Sequence, residues 1–284
     1  MKINPKVIIH GGFFSESSTN LETKIAKQTA LLKIVKESFN YLKSHSALET
    51  VVFAVELLEN DPLFNAGIGS QIQSDGKIRM SASLMDGHTK KFSGVINIED
   101  VKNPIRVAEK LMPYDDRVLG GEGAIKFAQE NGFETFSTEI PQRREEYLAK
   151  LKANGLGTVG CVALDENGKI AAATSTGGKG FEMVGRISDS ATTAGNFAND
   201  FCGVSCTGVG EDIVSAALAT KIVTRVSDEM PIKKAFEKSF EELKPFDGFA
   251  GAISIDYNGN IFHQDSHPSM VYAWFDGEKE EVFG

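Results

Sequence analysis

A fold mixing helices and strands is predicted by two features of this 284-residue chain. Segments whose apolar residues recur at helical spacing are interspersed with short runs of strand character, and turn pairs such as Asp-Gly and Asn-Gly punctuate them. The length suits one large domain or two small ones. At 41% hydrophobic and 24% charged residues the chain can bury a sizeable core, which excludes collagen, a disulfide scaffold and global disorder.

Taken in order, Val7-Ile8-Ile9 reads as a buried strand and His10-Gly11-Gly12 as the turn that ends it. Thr19 and Glu22 have capping-box spacing, and Leu31, Val35, Phe39 and Leu42 give the helix that follows one apolar face. Ser46 and Glu49 repeat the capping signal ahead of the stripe Leu48, Val51, Val52, Val55, Leu58. Asp75-Gly76 between Ile72 and Ile78 predicts a hairpin. Residues 94–100 read as a strand. Asn103-Pro104 opens a helix with Asn as cap and Pro in its first turn. Residues 123–131 are helical and stop at Gly132. Residues 139–157 form a charged, exposed helix running into the loop Asn154-Gly155-Leu156-Gly157.

Beyond that loop, Val159, Cys161 and Ala163 mark a strand, Asp165-Glu166-Asn167-Gly168 a turn, and residues 170–176 an answering strand. A glycine-broken loop leads through Gly208-Val209-Gly210-Glu211 into one long helix reaching Val223. Residues 231–243 are helical. Residues 252–255 and 261–264, joined through Asn258-Gly259, make the clearest hairpin, and residues 271–275 with Asp276-Gly277 add a strand and turn.

Charge and targeting narrow the function. Thirty basic against 39 acidic residues leave a net charge of -9, so neither nucleic acid nor an anionic membrane surface is an expected partner. No apolar run approaches the roughly 20 residues of a membrane span. The first residues lack the long apolar stretch of a signal peptide, and the three cysteines, Cys161, Cys202 and Cys206, fit free thiols in a reducing compartment. A cytoplasmic location is therefore expected. Cys202 and Cys206 lack the second ligand pair of a zinc site and read as packing residues.

Chemistry enters at Gly157-Thr158. A threonine that begins a strand after glycines could become a new N-terminus. Its α-amine, with an ordinary pKa near 7.7–8.0, would then act as the base for its own hydroxyl. On its own Thr158 reads first as one more β-branched strand residue. Its surroundings raise the other reading. Gly157-Thr158-Val159-Gly160, Ile9-His10-Gly11-Gly12, the run from Leu58-Glu59-Asn60-Asp61-Pro62 through Leu63-Phe64-Asn65-Ala66-Gly67-Ile68-Gly69, and Met85-Asp86-Gly87 occur in a defined order. So do Lys102-Asn103-Pro104, Gly121-Glu122-Gly123-Ala124, Ala172-Ala173-Thr174-Ser175-Thr176-Gly177-Gly178, Gly185-Arg186 with Asp189-Ser190, and Ser205-Cys206-Thr207-Gly208 with Gly210-Glu211. The ordered set resembles the isoaspartyl peptidase/L-asparaginase family, the plant-type asparaginases among the N-terminal nucleophile hydrolases, over most of the chain.

The resemblance implies an α+β fold, the four-layer αββα sandwich of that class, as a single domain spanning 1–284. It implies self-cleavage into an α chain, 1–157, and a β chain, 158–284, usually assembled as a homodimer of αβ units. Thr158 would be the nucleophile, with Thr176 setting its position and Asn65 orienting the site. Thr207 and the Gly208 N–H would stabilise the oxyanion. Arg186 would grip the substrate α-carboxylate, Asp189 would accept from the α-ammonium, and Gly208 and Gly210 would complete the substrate wall. Without the family, Arg186 reads as a surface ion pair, Asp189 as a turn residue, Thr176 as a strand-end threonine and Thr207-Gly208 as a helix cap. The carbonyls of Leu58, Glu59, Asp61, Phe64, Ala66 and Ile68 would hold a structural sodium ion. No catalytic cofactor is implied. The activity implied is hydrolysis of a small substrate, a β-aspartyl (isoaspartyl) dipeptide or L-asparagine, through an acyl-enzyme. A glycosylasparaginase-like amidohydrolase and an uncleaved binding protein are the alternatives; Gly157 and the retained polar residues argue against each in turn. Four features depart from the family pattern: Phe13-Phe14 where small residues are common, Glu182 near a usual lysine, Ala191 at a usual proline, and a short linker before Gly157.

Overall fold

The computed structural model describes residues 3–13, 21–149, 157–246, 249–267 and 269–284. Two β-sheets stack face to face. The larger runs β12 (Glu280–Val282), β11 (Met270–Phe275), β1 (Lys6–Phe13), β5 (Thr158–Leu164), β6 (Ile170–Thr176), β2 (Met80–Asp86), β3 (Lys91–Ile98) and β4 (Val118–Gly120). Its pairings are antiparallel apart from β3 with β4. The smaller runs β10 (Ile261–Asp265), β9 (Ala250–Asp256), β8 (Cys202–Gly208) and β7 (Asn196–Ala198). Helices α1 (Leu21–Leu42), α2 (Ala47–Glu59) and α3 (Pro104–Leu111) cover the outer face of the larger sheet. α4 (Gly121–Glu130) flanks its β3–β4 edge, and α5 (Pro141–Leu148) buries no residue. α6 (Gly210–Ala216), α7 (Leu218–Ser227) and α8 (Ile232–Glu241) lie on the side of the smaller sheet. The result is the αββα sandwich.

Three apolar layers hold it together, and strand alternation deals residues between them. Along β5, Val159, Cys161 and Ala163 join the core under α1–α3, while Val162 and Leu164 join the seam between the sheets. Along β8, Cys202, Val204 and Cys206 face the helices of the smaller sheet. Ile8, Phe13, Ile170, Ile253 and Ile255 are among the other apolar residues of the seam.

Several sequence expectations hold closely. The Ser46–Glu49 capping box is fully formed at α2, β6 has its predicted bounds, and the 256–260 hairpin pairs Ile261 with Ile255. Others need correction. β1 continues through His10-Gly11-Gly12 to Phe13 instead of turning there, although its register against β11 shifts after His10. Asp75-Gly76 is a tight turn closed by Gly76 N–H to Gln73 O at 2.9 Å, but no strands flank it. The long helix to Val223 is two helices, because Ala217 takes a left-handed conformation (φ 50°, ψ 45°) and the Ala219 N–H bonds Ala194 O. Strands β2, β4, β7, β8 and β12 were not expected as strands. The Thr19–Glu22 box, Phe14 and the short linker lie wholly or partly outside the described residues.

One carboxylate ties this frame to the site. Asn103 occupies the cap position of α3, yet its side chain makes no cap bond. The cap comes from Glu59, whose Oε1 accepts from the Ile105 N–H at 3.1 Å and the Ser175 hydroxyl at 2.6 Å, while Oε2 accepts from Asn103 Nδ2 at 3.2 Å. Burial pushes its carboxyl to about 8, against three hydrogen bonds that favour the charged form. Glu59 thus joins the end of α2, the start of α3 and β6. A Glu59→Ala substitution strands three donors and should cost on the order of 3 kcal/mol. Ser46→Ala, which loses only a cap, should cost about 1 kcal/mol. Urea unfolding of both variants checks the ranking.

Candidate active site

β5 opens with Thr158 at the polar end of the seam. Its neighbour in the register is Thr176, the last residue of β6, and the two hydroxyls stand 3.4 Å apart. Thr176 also accepts from the Gly178 N–H at 3.2 Å. Both threonines line a cavity of about 150 Å3 together with Gly157, Arg186, Asp189, Gly208 and Gly210. The strand ends of the larger sheet and the β8–α6 turn therefore meet around one opening.

The far wall is charged. Glu211 accepts from Arg186 Nε and Nη2, each at 2.9 Å, and from Lys179 Nζ at 3.1 Å. Those hydrogen bonds, Arg186 foremost, hold the Glu211 carboxyl down at about 2. The ion pair expected of Arg186 on plain grounds is thus real. It engages one edge of the guanidinium and leaves the Nη1–Nη2 edge as a fork for an incoming carboxylate. Asp189 starts a short turn, closed by Thr192 N–H and Oγ1 on its carbonyl at 2.8 Å. This closure restrains the loop at Ala191, where the family pattern has proline. The Asp189 carboxyl is buried, its Oδ2 meets no described hydrogen-bond partner, and burial pushes it to about 7 while the Arg186 guanidinium pulls it back. Gly210 lets Arg186 and Asp189 converge, since a Cβ there would fall 2.9 Å from Arg186 Nη2 and 2.8 Å from Asp189 Oδ1.

Thr207 is fully buried, and its hydroxyl likewise has no described partner. It is the penultimate residue of β8 and is not a helix cap: α6 begins after Val209 without a side-chain cap. Asn65 stands behind the cavity, packed on Gly157. Its amide donates to Gly178 O at 2.5 Å and its Oδ1 accepts from the Gln71 N–H at 3.0 Å. Glu182 turns inward against Gly178, so the carboxylate that Arg186 meets is Glu211.

The 58–68 loop closes on itself through Ile68 N–H to Glu59 O at 2.7 Å and Phe64 N–H to Asp61 O at 3.1 Å. The carbonyl oxygens that the resemblance implies as sodium ligands are hard donors of the kind an alkali cation takes, and three of them, on Leu58, Glu59 and Asp61, already accept backbone hydrogen bonds within the loop. Among the described residues no group of three or more His, Cys, Asp or Glu converges as a metal site. Cys202 and Cys206 are free and buried in β8. Sequence reading gave no role to Lys179 or Glu211. It also read His10 as a turn residue, whereas His10 lies in β1 with Nδ1 3.0 Å from the Thr158 carbonyl.

Comparison with known proteins agrees in extent. A family model described as asparaginase matches residues 3–284. The chain is 44% identical to an isoaspartyl peptidase/L-asparaginase of Synechocystis, covering 97% of this chain and 89% of that protein. It is 36% identical to a plant-type L-asparaginase of Pyrococcus furiosus, covering 98% and 99%, and 36% identical to an isoaspartyl peptidase of Escherichia coli, covering 94% and 92%. Glu211 braces the Arg186 guanidinium along its Nε–Nη2 edge. Glu211→Ala should weaken L-aspartate binding about tenfold in a calorimetric titration; unchanged affinity would show that Arg186 needs no brace.

Proposed function

The chain belongs to the asparaginase family, and on that premise we propose that it is a self-cleaving N-terminal threonine hydrolase of β-aspartyl peptides and L-asparagine. One observation carries the reading: Thr158 begins β5 beside Thr176, directly after Gly157, on a cavity whose opposite wall is Arg186 and Asp189.

In the precursor the Thr158 hydroxyl attacks the Gly157 carbonyl. The acyl group moves from nitrogen to oxygen, and water hydrolyses the resulting ester. Two chains result, 1–157 and 158–284, with a free α-amine on Thr158. That amine takes the proton of the hydroxyl beside it, and Oγ1 attacks the substrate β-carbonyl. Arg186 holds the α-carboxylate through its open fork, and Asp189 accepts from the α-ammonium. The Thr207 hydroxyl and the Gly208 N–H, next to each other at the end of β8, donate to the oxyanion; the otherwise unbonded Thr207 hydroxyl supports this role. The proton then passes to the leaving amine, ammonia or an amino acid. Water hydrolyses the acyl-enzyme by the same donors in reverse and aspartate leaves. Thr176 fixes the nucleophile's hydroxyl, Asn65 fixes the loop behind Gly157, and Gly210 gives the substrate room.

A sodium ion on the carbonyls of Leu58, Glu59, Asp61, Phe64, Ala66 and Ile68 would brace the loop that carries Asn65 and would supply no step of the reaction. Assembly as a homodimer of αβ units fits the apolar surface exposed at Met183, Val184 and Ile187. No described helix is long and apolar enough to cross a membrane, and three free cysteines support a cytoplasmic setting.

Intact-mass spectrometry tests the assignment. The wild-type protein should give two chains of roughly 17 and 14 kDa, the smaller starting at Thr158, while Thr158→Ala should stay whole and turn nothing over. An active, processed Thr158→Ala protein would refute the nucleophile. The Asp189 carboxyl sets a pH dependence. Below about 7 it is protonated in the free site and cannot pair with an ammonium, so binding weakens as pH falls. The inhibition constant of L-aspartate should rise about tenfold per pH unit below that point. With Asp189→Asn it should be weak and flat across the same range.

A further inference from the structure

His10 is fully buried where β1, β5 and β8 meet, and every proton around it can be assigned. Its Nδ1 lies 3.0 Å from the Thr158 carbonyl, which can only accept, so Nδ1 carries the hydrogen. Burial drives the ring to about 3, so it is neutral at any working pH and Nε2 is an acceptor. Ser205 Oγ, 2.9 Å from Nε2, must therefore donate there. That spends the only hydroxyl proton of Ser205, so Thr174 Oγ1, 2.7 Å away, donates to Ser205. The chain runs one way, from Thr174 on β6 through Ser205 on β8 and His10 on β1 to the Thr158 carbonyl on β5. Gly160 makes room for it. A Cβ at 160 would lie 2.0 Å from Ser205 Oγ and 2.4 Å from His10 Nε2.

The ladder between β1 and β5 ends at the pair His10–Gly160, two residues short of Thr158. Once the 157–158 bond is cut, Thr158 becomes a chain end, and chain ends fray unless tied down. Its remaining ties are the β6 pairing, the 3.4 Å contact with the Thr176 hydroxyl and the His10 bond to its carbonyl. Fixing that carbonyl fixes Cα, and with it both the amine and the hydroxyl that must act together.

We propose that His10 is a positioning residue for the nucleophile, its Nδ1–H anchoring the Thr158 carbonyl while Ser205 and Thr174 hold the imidazole in the tautomer that can do so. The proposal rests on Thr158 being the nucleophile.

The test uses the full chain after cleavage and compares wild type, His10→Leu, His10→Asn and Ser205→Ala. Asn places an amide N–H near the position of Nδ1 and keeps the anchor; Leu fills the space without a donor. His10→Leu should lower kcat 10- to 100-fold toward a β-aspartyl dipeptide, with KM within about twofold because Arg186 and Asp189 are untouched. His10→Asn should recover most of that loss at a similar Tm. Nitrogen-15 NMR of the wild type should show His10 protonated on Nδ1. Ser205→Ala, which leaves His10 and Thr158 in place, should mix the tautomers and lower kcat severalfold. Equal kcat in the Leu and Asn variants, a loss confined to KM, or a wild-type ring protonated on Nε2 overturns the anchor. Should His10→Leu fail to fold, the Ser205→Ala and NMR results decide alone. A wild-type protein that neither cleaves nor turns over breaks the nucleophile reading instead, and the tautomer still tests the anchor.

Discussion

Side chains alternate along a strand, so every residue of β5 faces either the helices or the seam between the sheets. Val159, Cys161 and Ala163 take the helix side, which commits Thr158, Gly160, Val162 and Leu164 to the seam. The same parity puts Ile170, Ala172, Thr174 and Thr176 of β6 and His10 of β1 there, with Ser205 of β8 facing them from the smaller sheet. A slip of one residue would turn the Thr158 hydroxyl into the core under α2. The apolar packing of Val159, Cys161 and Ala163 is therefore what aims the Thr158 hydroxyl at the cavity, and the other cavity-lining residues are arranged around that direction.

The seam is graded. One end is closed by Ile8, Val162, Leu164, Ile170, Ile253 and Ile255. The other carries hydroxyls, an imidazole and glycines, and it opens into the cavity. Small residues are needed at that end because two strands and their polar partners approach closely, as the crowding around position 160 shows. Burying so many polar atoms is tolerable only where they satisfy one another. Two of the atoms left without a described partner, Asp189 Oδ2 and Thr207 Oγ1, belong to residues that line or adjoin the cavity and are the ones proposed to meet a ligand.

Legibility in the sequence followed the same division. Elements built from strong local signals were readable: the capping box at Ser46, the strands around the 165–168 turn, and the Asn258-Gly259 hairpin. Strands β2 and β8, Met-Ser-Ala-Ser-Leu-Met-Asp and Cys-Gly-Val-Ser-Cys-Thr-Gly, were not, because Ser81 and Ser83 of the one and Gly203 and Ser205 of the other interrupt the usual β-branched and aromatic character. His10 was lost to the turn signal of its two glycines, although its partners lie 148 and 195 residues away. The site was legible mainly as a set of motifs in order. What those motifs do to one another, such as Glu211 bracing Arg186, is a long-range matter that spacing along the chain does not encode.

The order of the larger sheet has a consequence for how the molecule can be made. β1 comes from the segment before residue 158, yet it is inserted between β11 and β5, which both come from the segment after it. Synthesised separately, the later segment would present an empty slot with two unpaired edges, an invitation to self-association. The earlier segment would lack the neighbours of its first strand. An unbroken polypeptide supplies β1 to that slot at high effective concentration. Under the proposed cleavage, the 157–158 bond is thus also a folding tether: it is useful until the slot is filled and dispensable afterwards, when interleaved hydrogen bonding takes over the work of the covalent link.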